Sequence, residues 1–381
     1  MLYEPISRRT FVQVTAGGAA ALAVPSFLRM PEAAWPGYKR AIIIDNLATP
    51  GPFNVPNMYS APWTSEMITN ARASGMTAVN VTVNGSGATG VAAFESTVRN
   101  LAFLEREIAA HPTYFVSVRS VADIALAKET GRLGLIAGFQ DATMLEGDVS
   151  RVDVFDQLGV RIIQLTYNVR NLLGDGCLET GNAGLSAFGR DCVARMNDLG
   201  ILPDLSHCGR RTTTDTIAVS KKPVAVTHSG CAAIADVPRN KTDEQLKLLA
   251  DKGGVLGIYL MPFLRISGQP ELSDVVRHIE HAVQVCGEDH VGVGSDNSIT
   301  PLDLTPAFKA AHAGFVRERR RMGISAPGED ENVFNYVPEL NTPRRMEQIA
   351  DALVARGFSS ERIEKILGAN WMRLFGQVWK A

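Results

Sequence analysis

Polar residues that could carry chemistry follow short apolar runs of the sequence. His207 ends the run Asp204–His207, and His228 lies in the run Val226–Ser229. Asp296 follows the last such run, at 291–295. One histidine in this position is more often bonded to a backbone carbonyl, but two on consecutive strands with an aspartate on the last one favour a functional site. Such side chains can hold a metal ion or act as an acid/base pair.

The apolar runs themselves predict the fold. Each is nearly continuous in hydrophobicity, as expected for a strand buried on both faces. Eight predicted strands occupy 41–45, 78–83, 133–139, 161–166, 201–205, 223–227, 254–260 and 291–295, with an extra short strand at 114–118. Predicted helices between them include 65–74, 97–110, 121–130, 187–199, 243–252 and 274–286.

This alternation of strands and helices predicts an α/β protein with a TIM-type (β/α)8 barrel, and a doubly wound open sheet is the alternative. In a barrel, chemistry lies where the strands end. Other residues at these ends are Asp45, Gln140, Asp141, Tyr167, Asn168 and Asn297. We expect one barrel domain over 35–381. Residues 301–343, rich in Pro, Gly and charge, are predicted to form a lid over the barrel mouth and are called the lid segment below.

The N-terminus predicts export. Ser7–Val12 contains paired arginines, and an uncharged run rich in Ala and Gly follows at 14–27. We interpret residues 1–34 as a twin-arginine signal segment that directs the protein to the periplasm. The run is short for a membrane span, which needs about 20 apolar residues. A retained anchor and an amphipathic tail remain alternatives.

The composition limits the kinds of binding partner that we expect. The 381 residues are 45% hydrophobic and 20% charged, with a net charge of -2. Because lysine and arginine are scattered, no basic stripe is present for phosphate backbones, and we expect neither a nucleic-acid partner nor a membrane partner beyond the export signal. The five cysteines form no CxxC pair, although one or two disulfides in an oxidising periplasm are not excluded.

Ordered motifs along the chain resemble those of the membrane (renal) dipeptidase family of zinc peptidases, over roughly residues 40 to 375. They are Gly184–Arg190, Met196–Gly200, Asp204–His207, Pro223–Ser229, Pro238–Gln245, Val291–Asp296 and Gly368–Phe375. The resemblance implies a barrel with two zinc ions, bridged by a glutamate and by the water that attacks a dipeptide.

The resemblance also implies roles for individual residues. His207 and His228 fall on the two histidine ligands of the second zinc. Arg239 falls on the arginine that holds the substrate, and Asp296 falls on the aspartate that acts as acid/base and substrate anchor.

The sequence departs from the family at the other ligands. Leu47 and Thr49 stand where the family has the histidine and aspartate of the first zinc, and Gln140 stands near the place of the bridging glutamate. Tyr167 replaces a histidine that contacts substrate, so we expect Tyr167 to be catalytic and substrate-binding, and Gln140 to bind substrate. The family's two-ion cluster is therefore not expected.

A single ion could still be held by His207, His228 and Asp296. Zinc is the expected ion, with iron or manganese as alternatives, and a site without metal is a further alternative. The thiols of Cys208 and Cys231 could substitute as ligands, but are more simply small buried side chains.

The sequence thus predicts an exported, dipeptidase-like metallohydrolase that acts on dipeptides or related small amides. Two other functions remain open on the same scaffold. One is an enzyme that works without metal or without hydrolysis, and the other is a periplasmic binding protein. A homodimer is expected from the family resemblance alone.

Overall fold

The computed structural model describes residues 35–53, 58–59, 61–84 and 90–380. The predicted signal segment at 1–34 lies outside these residues. Among the helices described, none is long and apolar enough to cross a membrane. All five cysteines are free thiols, so the disulfides left open by the sequence are not formed.

The strands are parallel, and all except β2 and β11 follow the predicted apolar runs. They are β1 (Ile44–Asp45), β2 (Ala48–Thr49), β3 (Ala78–Thr82), β4 (Phe115–Val118), β5 (Leu133–Phe139), β6 (Ile162–Gln164), β7 (Leu202–Asp204), β8 (Ala225–Ser229), β9 (Val255–Ile258), β10 (Val291–Val293) and β11 (Asn297–Ser298). The main sheet has the order β1-β3-β5-β6-β7-β8-β9-β10. The predicted extra strand is β4, which pairs with the first half of β5 outside this order.

The sheet closes on itself. The Asn46 amide of the first strand region donates to the Val293 carbonyl of β10 at 3.0 Å. Just beyond, β2 pairs with β11, with Ala48 opposite Asn297. Because the first and last strands meet, the architecture is the predicted TIM-type barrel and the open-sheet alternative is wrong.

Helices connect the strands. They are α1 (Ser65–Ala73), α2 (Gly90–Ala110), α3 (Val121–Thr130), α4 (Arg151–Gln157), α5 (Ala187–Leu199), α6 (Arg210–Val219), α7 (Asp243–Asp251), α8 (Leu272–Cys286), α9 (Pro306–Arg321), α10 (Arg345–Ala355), α11 (Ser360–Glu364) and α12 (Asn370–Val378), with one π turn at Lys365–Ala369. All six helices predicted above are present.

Local sequence fixes where several helices begin and end. Ser186 caps α5 by accepting from the Gly189 amide, and Gly200 ends the helix with a φ of 83°. Only glycine adopts that left-handed conformation at no steric cost. Thr242 and Gln245 form a reciprocal capping box at the start of α7. The segments between strands are therefore terminated by the residue types that such ends require.

The amino-terminal end of the barrel is sealed by α12. One core cluster joins Trp371, Leu374 and Phe375 to the first residues of six strands. The Trp371 indole is fully buried and donates to the Val293 carbonyl at 3.2 Å. A Cβ at Gly292 would lie only 2.5 Å from the indole nitrogen, so glycine makes room for the ring. With this end filled, the opposite end is left for chemistry.

We expect Trp371→Ala to lower the free energy of unfolding by about 3–5 kcal/mol, because it opens a cavity among six strands. Urea denaturation measures this loss. As a control, Leu172→Ala removes a side chain that is 60% exposed and should change stability by less than about 0.5 kcal/mol. Equal stability of the Trp371→Ala variant and the wild type would contradict the role given to α12.

Candidate active site

The two histidines predicted from the sequence meet at the carboxyl ends of neighbouring strands. His207 follows β7 and His228 lies within β8. Their Nε2 atoms are 3.1 Å apart, and both rings are buried. The pairing of β8 with β9 shifts register between Val226 and Ser229, a bulge of the kind that re-aims a side chain. The sequence prediction that these histidines share one site is met by this geometry.

The hydrogen bonds of Asn168 determine the tautomer of His207. The Asn168 amide nitrogen donates to the Ile324 carbonyl at 2.9 Å, which leaves its Oδ1 as an acceptor. His207 Nδ1 lies 2.6 Å from that Oδ1 and must therefore carry the proton. The Nε2 atom of His207 then has a free lone pair.

A similar chain of hydrogen bonds determines the tautomer of His228. The Thr227 hydroxyl donates to the Asp204 carboxylate at 2.6 Å and so accepts from His228 Nδ1 at 2.8 Å. Asp204 also accepts from the Ser206 hydroxyl at 2.6 Å. His228 Nε2 is left with a lone pair that faces His207.

Two lone pairs 3.1 Å apart repel each other unless a positive centre lies between them or beside them. Burial, and then the Arg239 charge, lower the pKa of both His207 and His228 well below the usual range. Both imidazoles are therefore neutral near neutral pH. A pair of neutral imidazoles held by their second nitrogens is the arrangement found around metal-bound histidines.

Gln140 and Asp296 complete this side of the site. Gln140 Nε2 lies 3.3 Å from His228 Nε2 and 3.5 Å from Asp296 Oδ1. Asp296 has a φ of 61°, and its amide donates to the Leu47 carbonyl at 2.8 Å. Such a left-handed aspartate is uncommon and is concentrated at functional sites. Burial raises the pKa of the Asp296 carboxyl to about 7.

Arg239 and Tyr167 face the same cavity. Arg239 is buried, donates to the Ser206 carbonyl at 2.6 Å and lies over the rings of Tyr259 and Phe263. Its Nη2 has no hydrogen-bond partner among the described residues. The Tyr167 ring stacks on His207 with centroids 4.1 Å apart. All the predicted site residues are therefore brought together.

The lid segment contributes to the wall of a cavity at this site. The cavity volume is about 20 Å³. Its walls combine barrel residues with four residues of the lid segment. The lid-segment residues are Phe315, Arg319, Glu329 and Asn335, and the barrel residues are Tyr167, Asn168, His207, Arg239, Met261, Phe263 and Asp296. The segment predicted as a lid from its composition therefore borders the site through α9 and the turn after it.

The residues present fit one ion better than two. His207 and His228 supply two imidazole donors directed at one point. At the other ion's place, Leu47 offers no donor side chain, and Thr49 lies in β2 with its hydroxyl accepting from the Gly51 amide. Gln140 is neutral, so the charge that would offset a second dication is absent.

The third predicted ligand, Asp296, is kept from the histidines by Gln140. Among the described residues, no three His, Cys, Asp or Glu side chains gather as a group that could hold a metal ion. The structure therefore forms the two-histidine part of the predicted ligand set, while ligation by Asp296 stays a prediction. The sulfur of Cys208, considered above as a substitute ligand, accepts a hydrogen bond from the Thr166 hydroxyl at 3.3 Å.

Sequence reasoning missed the residues that hold this site in place. Asn168 was noted only as a strand-end residue, and Asp204 and Thr227 only as parts of motifs. Their signal in the sequence is that Asp204 and Thr227 are polar residues inside the two histidine motifs, and that Asn168 is a polar residue at a strand end. Arg319 and Glu329 gave no signal, because the charges of the lid segment have no periodicity that singles them out.

A barrel with its polar site at the carboxyl ends of the strands is an architecture that many hydrolases use. The family model of the membrane dipeptidases, peptidase family M19, matches residues 64–305. The chain belongs to the membrane dipeptidase family. The resemblance stated from the motifs is confirmed.

Comparison with individual proteins supports the same family. An uncharacterised Klebsiella pneumoniae protein encoded 5′ of pqqA is 30% identical in an alignment of 294 residues, and the match covers 74% of this chain and 96% of that protein. A dipeptidase of Clonostachys rogersoniana is 30% identical over 250 residues, which are 64% of this chain but only 62% of that protein. The crystal structure of an amidohydrolase from Pseudomonas aeruginosa is 34% identical and has a TM-score of 0.75, covering 90% of this chain and 98% of that one. The family and the two relatives that carry the name of an activity are hydrolases, as expected from the sequence.

Proposed function

We propose that this chain hydrolyses dipeptides or related small amides with one metal ion held by His207 and His228. The observation that carries the proposal is the 3.1 Å approach of two Nε2 atoms whose rings are both fixed through Nδ1. Zinc is the ion we expect, with iron or manganese as alternatives. When bound, such an ion polarises a substrate carbonyl and lowers the pKa of water.

Arg239 supplies the anchor for a substrate carboxylate. Its guanidinium is buried between two aromatic rings, and its Nη2 is unpaired among the described residues. A carboxylate there would satisfy both the charge and the open donor. This requirement favours substrates with a free carboxyl end, such as dipeptides.

Asp296 and Tyr167 supply proton and hydrogen-bond chemistry. The Asp296 carboxyl, with a pKa of about 7, can hold or release a proton near neutral pH and suits transfer to a leaving amine. Arg319 Nη1 donates to the Tyr167 oxygen at 3.3 Å, which leaves the phenol's own proton for a substrate oxygen. Gln140 lies between Asp296 and His228 and offers a neutral amide to the substrate.

A metal-independent enzyme is the second candidate. The observation in its favour is that no third His, Cys, Asp or Glu joins the histidine pair among the described residues. In that case the pair and Asp296 would act only as acid/base and hydrogen-bonding groups. A periplasmic binding protein, and the homodimer expected from the family, stay predictions of the sequence.

We expect about one metal ion per chain in the purified protein, measured by elemental mass spectrometry. The double variant His207→Ala with His228→Ala should lose it, and chelation should lower dipeptide turnover at least about 10-fold until metal is returned. His281→Ala is the control, because His281 pairs with Asp243 at 2.8 Å, away from the site. Turnover in a metal-free protein that ignores chelators would instead support the metal-independent candidate.

We expect Gln140→Glu to tighten metal binding about 10-fold or more, because it adds a carboxylate beside His228 and supplies ligand charge. Competition with a chromogenic chelator measures the affinity. Gln348→Glu adds the same charge at an exposed position on α10 and should leave the affinity unchanged. Unchanged or weaker binding in Gln140→Glu would show that no ion lies near this side chain.

We also propose export to the periplasm by the twin-arginine route, on the strength of Ser7–Val12 and the apolar run after it. Replacing Arg8 and Arg9 together by lysine should retain the protein in the cytoplasm, as measured by cell fractionation. Arg40→Lys, outside the motif, is the control and should leave export unchanged. Equal export of the Arg8/Arg9 variant would argue against the twin-arginine route.

A further inference from the structure

The cavity lined by the described residues is too small for the proposed substrates in this conformation. A buried water needs about 10–15 Å³ of such volume, so the 20 Å³ here holds one or two waters. A dipeptide can enter only if part of the wall moves. The lid segment contributes Phe315, Arg319, Glu329 and Asn335 to that wall, and it is a long connection rather than a barrel strand. Among the described residues, it is therefore the part of the wall that we expect to move.

Arg319 is fixed within the lid segment itself. Its Nε and Nη2 donate to the two carboxylate oxygens of Glu329 at 2.7 and 2.8 Å. Glu329 also accepts from the Ser325 hydroxyl and the Ala326 amide, both at 3.1 Å. The pair is nearly buried, with side chains 11% and 7% exposed. Arg319 and the turn 324–329 therefore form one unit that moves together.

This unit contacts the barrel at two consecutive residues. Arg319 Nη1 donates to the Tyr167 oxygen at 3.3 Å, and the guanidinium carbon lies 5.7 Å from the centre of the Tyr167 ring. The Ile324 carbonyl accepts from Asn168 Nδ2 at 2.9 Å. Docking of the lid segment therefore fixes both side chains at once.

Those two residues are also the ones that hold His207. The Tyr167 ring stacks on the imidazole at an interplanar angle of 22°, and Asn168 Oδ1 accepts from Nδ1 at 2.6 Å. Asn168 has a φ of 53°, a conformation that needs such support from its surroundings. We propose that Arg319 is a positioning residue, which makes the orientation of His207 depend on docking of the lid segment.

The consequence is a site that is completed by closure. With the lid segment open, Tyr167 loses its cationic partner and Asn168 loses the carbonyl that orients its amide. His207 then loses the constraints on its ring plane and tautomer. Closure over a substrate restores them, so binding and assembly of the site occur together. The role given to His207 rests on the proposed function, but its coupling to Arg319 does not.

Arg319→Met tests the coupling. We expect kcat to fall about 10- to 100-fold, as for other residues that orient a metal-binding histidine, with a smaller change in KM. Nitrogen-15 NMR of the histidine rings should show the His207 Nδ1 proton exchanging faster or the tautomers mixing. Arg321→Met is the matched control, because Arg321 lies on the same helix, is 73% exposed and pairs with the exposed Glu318.

A double-mutant cycle with Tyr167→Leu shows whether Arg319 acts through Tyr167. If it does, Arg319→Met should have little further effect on kcat or on the His207 resonance in the Tyr167→Leu background. Fully additive effects, or an unchanged His207 resonance in folded Arg319→Met protein, would overturn the proposal.

Two further measurements keep this test decisive. Arg319→Lys preserves the charge and should restore part of the kcat lost in Arg319→Met, and it replaces that variant if Arg319→Met folds poorly. A folded Arg319→Lys protein with the same His207 signal as Arg319→Met would count against the proposal. If the wild type cleaves no dipeptide at all, the proposed function fails. The His207 resonance still decides the coupling, since it requires no turnover.

Discussion

The facing of two imidazole nitrogens is the constraint on which this site depends. Neither His207 nor His228 could hold its Nε2 lone pair toward the other without a fixed partner on Nδ1. Those partners, Asn168 and Thr227, are fixed in turn by Ile324 and by the buried Asp204. The repulsion between the lone pairs is thus maintained by hydrogen bonds from the barrel and from the lid segment. Such an arrangement favours the binding of a cation between the two nitrogens.

Leu47 and Thr49, which bind no ion in the proposed one-ion site, still shape that part of the barrel through their backbone. Leu47 has no donor side chain, yet its backbone carbonyl holds the Asp296 amide in a left-handed conformation. Thr49 lies in β2, which pairs with β11 and helps to close the barrel. The first strand therefore still determines where Asp296 lies. Changes of side chain at these positions could remove metal ligation while the backbone role remained.

The sequence predicted the barrel and the inward set of site residues for the same reason. Strands buried on both faces have continuous apolar runs, and in a barrel their carboxyl ends converge, so His207, His228 and Asp296 had to lie at the same end of the barrel. It could not predict Arg319, because 152 residues separate it from Tyr167 and no pattern in the lid segment marks one charge above another. It also could not predict that Gln140 would lie between His228 and Asp296, since that depends on a side-chain torsion.

The neutral side chain of Gln140 suits the charge of the site, in which the Asp296 carboxyl lies beside it. A carboxylate there would lie about as close to Asp296 as the amide does, at 3.5 Å. Without any bound cation, two carboxylates at that distance in a buried site would repel, and one would stay protonated. Gln140 avoids this and can donate to Asp296 instead. In the proposed one-ion site, Leu47, Thr49 and Gln140 therefore belong together, because they provide neither the ligands of a second ion nor a second carboxylate beside Asp296.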